Sequence, residues 1–321
     1  MSDRWRGPVL VLSGGLSPER EVSLRSGRRV ADALREVGVE VHVRDIDSSL
    51  VPALTDEKPA AVFPVVHGVT GEDGALREVL ELLDQPYVGA RPSACWQAFD
   101  KAAAKAVFRD AGLHTPPAVA LPHATFRDLG AAAVLGRIVM RYGLPLVVKP
   151  VRGGSALGMS VVETEAALPA AMAGCFSYGH IALAEPFIDG TEVAVGVVDT
   201  GNGPEALPPV EIVPDDDVYD YAARYTPGQT EFFCPARLSD EAAQQVRSIA
   251  ETAHAALGLR DISRSDLIVD GSGQAHLLEV NVAPGMTETS TLPMAATAGD
   301  RNLGVLCRDL ARAAAERGAG S

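Results

Sequence analysis

The sequence is short of cysteine and of long hydrophobic runs, and each shortage excludes a class of protein. Its four cysteines are far apart and form no C-x-x-C pair, which argues against a zinc site and against a disulfide framework. No apolar run approaches the ~18 residues of a membrane-spanning helix. The first run, residues 9–12, is too short for the core of a signal peptide. We therefore expect a cytoplasmic protein whose cysteines serve packing.

Positive charge is also scarce. The net charge is −14 and no basic cluster occurs, so nucleic acid and an anionic membrane are excluded as principal partners, because both require a positive surface. Only four lysines stand against 24 arginines. A lysine inside an apolar strand, as Lys149 is, therefore becomes a candidate functional residue. An acidic protein that binds a nucleotide must concentrate its positive charge locally.

The chain has the length and composition of a globular protein with a sizeable core. Its 321 residues are 47% hydrophobic, which suggests two or three domains. Short apolar segments at residues 9–12, 39–43 and 60–66 read as strands. Ser17 as N-cap and Pro18 at the first helical position predict a helix between the first two. This order predicts a parallel, doubly wound α/β sheet.

Polar residues follow these strands at the edge where such sheets bind ligands. Glu19, Ser23, His67 and Glu72 are expected to face that cleft. Simpler roles stay open for two of them. Glu19 could do no more than interact favourably with the helix dipole, and His67 could be an ordinary loop histidine. Neither glycine-rich loop here fits a dinucleotide fingerprint or a Walker A motif.

The middle of the chain predicts a phosphate-binding hairpin. Helices are expected at residues 95–111 and 126–142, with a domain boundary near residue 92. A strand carrying Lys149 then leads into a glycine-rich loop and a second strand. Backbone N–H groups of such a loop can hold phosphate oxygens while the lysine supplies charge. The alternative is a plain glycine hairpin.

The next segments hold two glutamates and a long polar stretch. Glu185 and Glu192 bracket a linker at positions suited to adenine and ribose, although exposed glutamates without a role fit equally well. Residues 215–235 show little secondary-structure signal, and long loops of this kind are usually lids. Ser239 is expected to cap a helix that ends near residue 257, and residues 301–316 form a last amphipathic helix.

A hairpin at residues 263–290 carries the densest set of polar groups. If Val269 and Gln274 close a four-residue loop, Arg264 lies opposite Glu279 and Asp266 opposite Leu277. Residues 264, 266, 279 and 281 then share one face. Carboxylate and amide oxygens suit Mg²⁺ held together with phosphates, and the arginine could hold an anionic transition state. The alternative is a solvated polar face.

Several motifs in this order resemble the D-alanine–D-alanine ligase family of the ATP-grasp superfamily. The resemblance covers nearly the whole chain and rests on five main motifs. They are H-G-x-x-G-E-D-G at 67–74, Asp-Lys at 100–101, Val-Lys-Pro at 148–150, Tyr-Asp-Tyr at 219–221 and Glu-Val-Asn-x-x-Pro-Gly-Met-Thr from 279. The implied fold is α/β, α+β in parts: an N-terminal doubly wound parallel-sheet domain at 1–92 and two ATP-binding subdomains at 93–184 and 185–321.

The resemblance implies an ATP-dependent ligation of two D-alanines through an acyl phosphate, as in peptidoglycan precursor synthesis. It also implies ATP and Mg²⁺ as cofactors, with Mn²⁺ a possible substitute, and a homodimer. The implied nucleotide residues are Lys101, Lys149, Gly154, Ser155, Glu185, Glu192 and Arg224, and the implied metal ligands are Asp266, Glu279 and Asn281. The implied substrate residues are Glu19, Ser23, His67, Tyr225, Arg264, Gly285 and Ser290. Within these sets the implied catalytic group is Glu19, Ser155, Tyr225, Arg264 and the backbone N–H of Gly285.

Several positions depart from the family pattern, and they leave two alternatives open. The departures are Arg224 for lysine, Ala156 for serine, Ser263 for glycine, Pro186 for lysine, Arg77-Glu78 for Gln-Gly, and Thr291 for leucine. None removes an essential group. One alternative is a related ligase for a different amino acid. The other is a nucleotide-binding protein without turnover.

Overall fold

The computed structural model describes residues 7–215 and 228–319. The first sheet is parallel, with strand order β2-β1-β3. It contains β1 Val9–Ser13, β2 Val41–Asp45 and β3 Ala61–Pro64, with helices α1 Arg20–Glu36, α2 Leu50–Glu57, α3 Val69–Glu72 and α4 Ala75–Leu82. Every residue of β1 is buried, as expected for the central strand of a covered parallel sheet. The predicted parallel α/β arrangement is confirmed.

The prediction that Ser17 caps α1 is wrong. The helix begins at Arg20, with Glu19 at the N-cap position. The Ser17 hydroxyl instead donates to the carbonyl of His67 at 3.0 Å and accepts from the backbone N–H of Glu19 at 3.2 Å. Ser17 therefore ties the turn before α1 to the turn after β3, and Pro18 lies outside the helix.

Both long helices predicted in the middle of the chain are broken in two. The first becomes α5 Pro92–Phe99 and α6 Lys101–Asp110, and the second becomes α7 His123–Leu129 and α8 Ala131–Tyr142. Asp100 is extended, and its carboxylate caps α6 by accepting from the N–H of Ala103 at 3.1 Å. Gly130 has φ +85°, a conformation that interrupts a helix and that glycine adopts without steric cost.

The second sheet is antiparallel, with order β4-β7-β5-β6. It contains β4 Val119–Pro122, β5 Leu146–Pro150, β6 Ser160–Val162 and β7 Ile181–Pro186, backed by a short 3₁₀ turn Glu165–Ala167 and by α9 Leu168–Phe176. Strands β5 and β6 pair across the glycine-rich loop. The predicted strand–loop–strand hairpin is confirmed.

The third sheet has six strands, ordered β11-β10-β8-β12-β13 with β9 beside β8. It contains β8 Gly190–Val198, β9 Glu205–Ala206, β10 Val210–Pro214, β11 Thr230–Phe233, β12 Ile262–Asp270 and β13 Ala275–Asn281, with α10 Asp240–Ala256, α11 Thr291–Ala298 and α12 Leu303–Arg317. Ser239 caps α10 as predicted, accepting from the N–H of Ala242 at 3.2 Å. Strand β11 was not expected. The predicted lid residues Tyr219–Tyr221, Arg224 and Tyr225 lie outside the described ranges.

The predicted register of the β12–β13 hairpin is wrong, although the shared polar face is confirmed. Asp266 lies opposite Glu279 and Arg264 opposite Asn281, and the register shifts between Asp266 and Leu267. The hairpin closes where the N–H of Asp270 donates to the carbonyl of Gln274 at 3.0 Å. The loop is one residue shorter than expected, and the irregularity beside Leu267 restores the alignment of the polar face.

One hydrophobic core joins the first and third sheets. Residues of β1 and α1, such as Val11 and Leu34, pack with Leu292 of α11 and Leu310 of α12. The second sheet has a separate core around Leu146 and Met172. Among the described residues, no helix is long and apolar enough to cross a membrane.

A largely buried ion pair fastens the end of α12 to the loop before β12, and further hydrogen bonds tie both to the segment that follows the first sheet. Asp261 is 1% exposed, and its carboxylate accepts from both terminal nitrogens of Arg317 at 2.8 and 2.7 Å. It also accepts from the N–H of Gly89 at 2.7 Å. Arg317 donates further to the carbonyl of Tyr87 at 3.2 Å.

We predict that Asp261→Asn lowers the free energy of unfolding by about 3 kcal/mol, because it leaves a largely buried arginine without its counter-charge. Asparagine tolerates the left-handed backbone of this position, φ +64°. Urea unfolding gives the measurement, and Asp300→Asn is the matched control, since Asp300 is exposed and has φ +57°. Equal stability of the two variants would contradict the assignment.

Candidate active site

A cavity of about 750 Å³ lies between the second and third sheets. Seven of the predicted site residues line it: Lys101, Lys149, Gly154, Glu185, Glu192, Asp266 and Glu279. They come from α6, β5, the glycine-rich loop, β7, β8, β12 and β13. Its walls are also apolar, with Phe187 and Leu278 among them. Charged groups and apolar walls together suit a ligand with a flat ring and an anionic tail.

The predicted metal ligands lie on one face of β12 and β13. Asp266 accepts two hydrogen bonds from Arg264, at 2.6 and 2.7 Å, and Glu279 lies 3.1 Å from the Nζ of Lys101. The Asn281 amide oxygen accepts from the N–H of Ala283 at 2.7 Å. Each oxygen donor thus has a protein partner, and the carboxylates are balanced by cations.

This donor set fits Mg²⁺ shared with a nucleotide. Two carboxylates and an amide supply hard oxygen ligands, and Mg²⁺ takes the rest of its ligands from phosphates and water. A metal site made of protein ligands alone is not found: the described ranges contain no group of three His, Cys, Asp or Glu side chains that could hold a metal ion. Asp266, Glu279 and Asn281 therefore stay candidate ligands for a cation that is also bound by phosphates.

The glycine-rich loop is fixed at its base. The Nζ of Lys101 donates to the carbonyl of Gly153 at 2.8 Å. The backbone N–H of Lys101 donates to the carbonyl of Val151 at 3.0 Å. Ser155 and Ala156 both have left-handed backbones, with φ +54° and +56°. Non-glycine residues rarely adopt that conformation, and such outliers cluster at ligand sites.

Glu185 lies between two lysines at the wall of the cavity. Its carboxylate is 2% exposed and lies 2.6 Å from the Nζ of Lys149 and 2.7 Å from that of Lys105. Lys105 is a residue that the sequence analysis missed. The available signal was its position: it is one of four lysines, one helical turn after Lys101.

The first sheet contributes a second group of polar residues. Ser23 is fully buried and uses its hydroxyl internally, donating to the carbonyl of Val65 and accepting from the N–H of Gly14, both at 2.8 Å. This pairing favours a structural role in fixing the loop after β1. Glu19 is 4% exposed, and a Cβ built on Gly68 would lie 2.6 Å from its Oε2. A larger residue at position 68 would have to displace the Glu19 carboxylate.

His67 connects the first sheet to the tail of the β12–β13 hairpin. Its Nδ1 donates to the carbonyl of Ala283 at 3.0 Å, so its Nε2 accepts from the hydroxyl of Ser26, also at 3.0 Å. The same hydroxyl accepts from the N–H of Met286 at 3.1 Å. Burial lowers the pKa of His67 to about 4, so the ring is neutral near pH 7 and its tautomer is fixed.

The tail that follows β13 forms a compact turn. The Ser290 hydroxyl accepts from the N–H of Thr287 at 3.0 Å and contacts the Thr287 hydroxyl at 2.9 Å. A Cβ on Gly285 would lie 2.7 Å from the Ser290 oxygen. The two predicted residues are thus neighbours, and only glycine fits at 285 without displacing Ser290.

Glu72 was expected at the cleft without an assigned role, and the structure gives it an unusual environment. It accepts from the N–H of Gly68 at 2.9 Å. A Cβ on Gly154 would lie 3.6 Å from a Glu72 oxygen and 3.7 Å from a Glu19 oxygen. Burial first, and then the charge of Glu19, raise the pKa of Glu72 to about 7. Two carboxylates therefore meet the tip of the glycine-rich loop.

Comparison with known proteins gives matches over most of the chain. The family model described as D-ala D-ala ligase C-terminus matches residues 107–310. A D-alanine–D-alanine ligase from Bordetella avium is 41% identical over 307 residues, which are 96% of this chain and 94% of that protein. Another from Anaeromyxobacter dehalogenans is 39% identical over 97% of this chain and 98% of that protein.

Solved structures also match over nearly the whole chain. The VanG D-Ala:D-Ser ligase from Enterococcus faecalis has a TM-score of 0.83 at 26% identity, covering 96% of this chain and 99% of that one. The D-alanine–D-alanine ligase from Coxiella burnetii has a TM-score of 0.81 at 27% identity, covering 97% and 96%. The fold shared with these ligases is the ATP-grasp fold.

The raised pKa of Glu72 yields a pH-dependent prediction. The native state keeps this proton up to about pH 7, whereas the unfolded state loses it near the ordinary value of 4.5. The native state therefore binds more protons in that window, and Glu72 lowers stability progressively as the pH rises through it. We predict that Glu72→Gln gains about 3 kcal/mol relative to the parent between about pH 4.5 and pH 7.

Urea unfolding at several pH values measures this difference. Glu78→Gln, at an exposed position of α4, should show no comparable pH-dependent gain. If the difference in unfolding free energy between Glu72→Gln and the parent stayed constant from about pH 4.5 to pH 7, it would contradict the burial of a protonated carboxyl group at this position.

Proposed function

The chain belongs to the D-alanine–D-alanine ligase family and is an ATP-dependent ligase; on this premise we propose that it joins two D-alanine molecules into D-alanyl-D-alanine, for peptidoglycan precursor synthesis. One observation carries the proposal. Lys101, Lys149, Asp266 and Glu279 line a single cavity, and the glycine-rich loop that closes one side of it reaches Glu19 and Glu72. A nucleotide's phosphates and an amino acid would therefore meet at that loop.

In the first step, the carboxylate of one D-alanine attacks the γ-phosphorus of ATP, giving an acyl phosphate and ADP. We assign Lys101 and Lys149 to the phosphates, together with backbone N–H groups of the loop at Gly154 and Ser155. Glu192 is assigned to the ribose.

Two further assignments concern the metal and the nucleotide. Asp266, Glu279 and Asn281 would hold Mg²⁺, or Mn²⁺ in its place, and the bound metal would shield the charge of the phosphates. Glu185 holds Lys149, and a contact with adenine stays a prediction, as does the phosphate contact of Arg224.

In the second step, the amine of the second D-alanine attacks the acyl carbon and phosphate leaves. Arg264 and the N–H of Gly285 are assigned to the oxyanion that forms, a role in which each donor is worth a few kcal/mol. Asp266 fixes the guanidinium of Arg264 through two hydrogen bonds, so the arginine is oriented before the substrate arrives. This is the preorganisation that such catalysis requires.

The remaining substrate roles are assigned to residues at the two ends of the site. Glu19 would hold the ammonium of the first D-alanine, with His67 and Ser23 behind it, and Ser290 the carboxylate of the second. A hydrogen-bonded set of Glu19, Ser155 and Tyr225 stays a prediction. The same holds for a homodimer, a cytoplasmic location and the domain division at residues 92 and 184.

The proposal is tested with purified protein, Mg²⁺, ATP and a panel of D- and L-amino acids, with products identified by mass spectrometry. We expect D-alanyl-D-alanine, ADP and phosphate in equal amounts. A mixed dipeptide as the main product would support the alternative of a different second amino acid. ATP binding without any dipeptide would contradict ligase function.

Arg264→Ala tests the oxyanion assignment. We predict that turnover falls by about 100-fold to 1000-fold, the usual loss for one such donor, while ADP binds with nearly unchanged affinity. Calorimetry and a phosphate-release assay give the two quantities. Arg141→Ala, at an exposed position of α8, serves as control, and undiminished turnover in Arg264→Ala would refute the assignment.

A further inference from the structure

We propose that Lys105, which touches no part of the cavity, is a positioning residue that keeps Lys149 electrostatically available to the nucleotide phosphates by sharing the carboxylate of Glu185. Lys149 lines the cavity and Lys105 does not. The carboxylate lies between them, with Oε1 at 2.6 Å from Lys149 and Oε2 at 2.7 Å from Lys105. This inference rests on the proposed nucleotide site and adds a residue to it.

The charge balance of the three side chains gives the physical reason. Two ammonium groups and one carboxylate leave a net charge of +1 in a buried setting. Without Lys105, Glu185 would neutralise Lys149, and the pair would present no net charge to the phosphates. Burial makes this difference large, because the Lys105 and Glu185 side chains are 1% and 2% exposed and little water screens their charges.

The position of Lys105 is set by neutral partners rather than by further charges. Its Nζ donates to the Thr115 hydroxyl at 2.8 Å and to the carbonyl of Pro116 at 3.2 Å. The contact with Glu185 at 2.7 Å is an ion pair. The ammonium is thus held behind the carboxylate, on the side away from the cavity, where it cannot bind the nucleotide itself.

Thr115 connects this arrangement to the strand that carries the metal-ligand candidates. Its hydroxyl donates to the carbonyl of Leu277 at 2.7 Å, and the N–H of Leu277 donates to the carbonyl of His114 at 2.9 Å. Lys105 is therefore fixed relative to β13, and Glu279 lies two residues further along that strand. The spacing between Lys149 and the metal face depends in part on this contact.

The pKa shifts of Lys105 and Lys149 agree with a carboxylate that both lysines share. Burial lowers the pKa of Lys105 to about 8, against the opposing effect of Glu185. Burial acts in the same direction on Lys149, but the negative charges of Glu185, Glu279 and Asp266, with a hydrogen bond to Glu185, together outweigh it and raise the pKa of Lys149. The carboxylate thus stabilises the ammonium that faces the cavity.

The test compares the affinities of ADP and adenosine, both measured by calorimetry with Mg²⁺ in excess. The association constant of ADP divided by that of adenosine reports the phosphate-dependent part of binding. This ratio is measured without any amino acid, so the test remains valid even if the protein does not ligate amino acids. We expect Lys105→Met to lower the ratio by about ten-fold, the effect of one buried charge near the phosphates. Lys105→Arg keeps the charge and should keep most of the ratio.

The double variant Lys105→Met with Glu185→Gln separates charge from structure. Of the three side chains, only Lys149 then carries a charge, and the net charge of the group returns to +1. The ratio should therefore recover toward that of the unmodified protein. A purely structural role for Lys105 predicts a further loss instead. Lys58→Met, which removes an exposed lysine, is the matched control and should leave the ratio unchanged.

If Lys105→Met does not fold, Glu185→Gln alone keeps the proposal open to refutation. Removing the charge leaves an amide oxygen that can still accept from Lys149 and at least one positive charge beside the phosphates, so the ratio should not fall. An unchanged ratio in folded Lys105→Met, no recovery in the double variant, or a lower ratio in Glu185→Gln would each overturn the proposal.

Discussion

The pairing of β12 with β13 is the constraint on which the rest of the site depends. Side chains along a strand alternate between faces, so the alignment of Asp266 with Glu279 and of Arg264 with Asn281 puts four functional groups on one side of the sheet. Strand β12 also pairs along its whole length with β8. Arg264 and Asp266 therefore stand on a strand that is held on both edges, Glu279 and Asn281 stand on the edge strand beside it, and the second sheet and the glycine-rich loop close over all four.

Electrostatics explains how so acidic a chain forms an anion site. The net charge is −14, yet two of the four lysines, Lys101 and Lys149, line one cavity, and a third, Lys105, lies behind its wall beside Glu185. Lys101 lies against Glu279, and Lys105 and Lys149 share Glu185. These carboxylates hold the lysines in place, because an isolated buried charge is costly. The local excess of cations, rather than the overall charge, decides which ligand the cavity fits.

The parallel start, the glycine-rich hairpin and the polar face of the last hairpin could be predicted because each depends on a short, local sequence pattern. The errors have local physical causes. The register at Asp266 depends on an irregularity that no pattern marks, and the break at Asp100 depends on whether an aspartate caps a helix or continues it. The role of Lys105 and the raised pKa of Glu72 depend on contacts between segments that are distant in the sequence. Both also depend on burial, which the sequence alone does not show. Ser17 bonds to a loop that lies 50 residues away.

The central claim is that one site activates a carboxylate with ATP and then delivers the acyl group to an amine. The most direct measurement uses D-alanine labelled with ¹⁸O in both carboxylate oxygens, with the released phosphate analysed by ³¹P NMR or mass spectrometry. An acyl phosphate places one labelled oxygen between carbon and phosphorus, and attack by the amine leaves that oxygen on phosphate. The account predicts inorganic phosphate carrying one ¹⁸O for each dipeptide formed. Unlabelled phosphate released together with the dipeptide would contradict it.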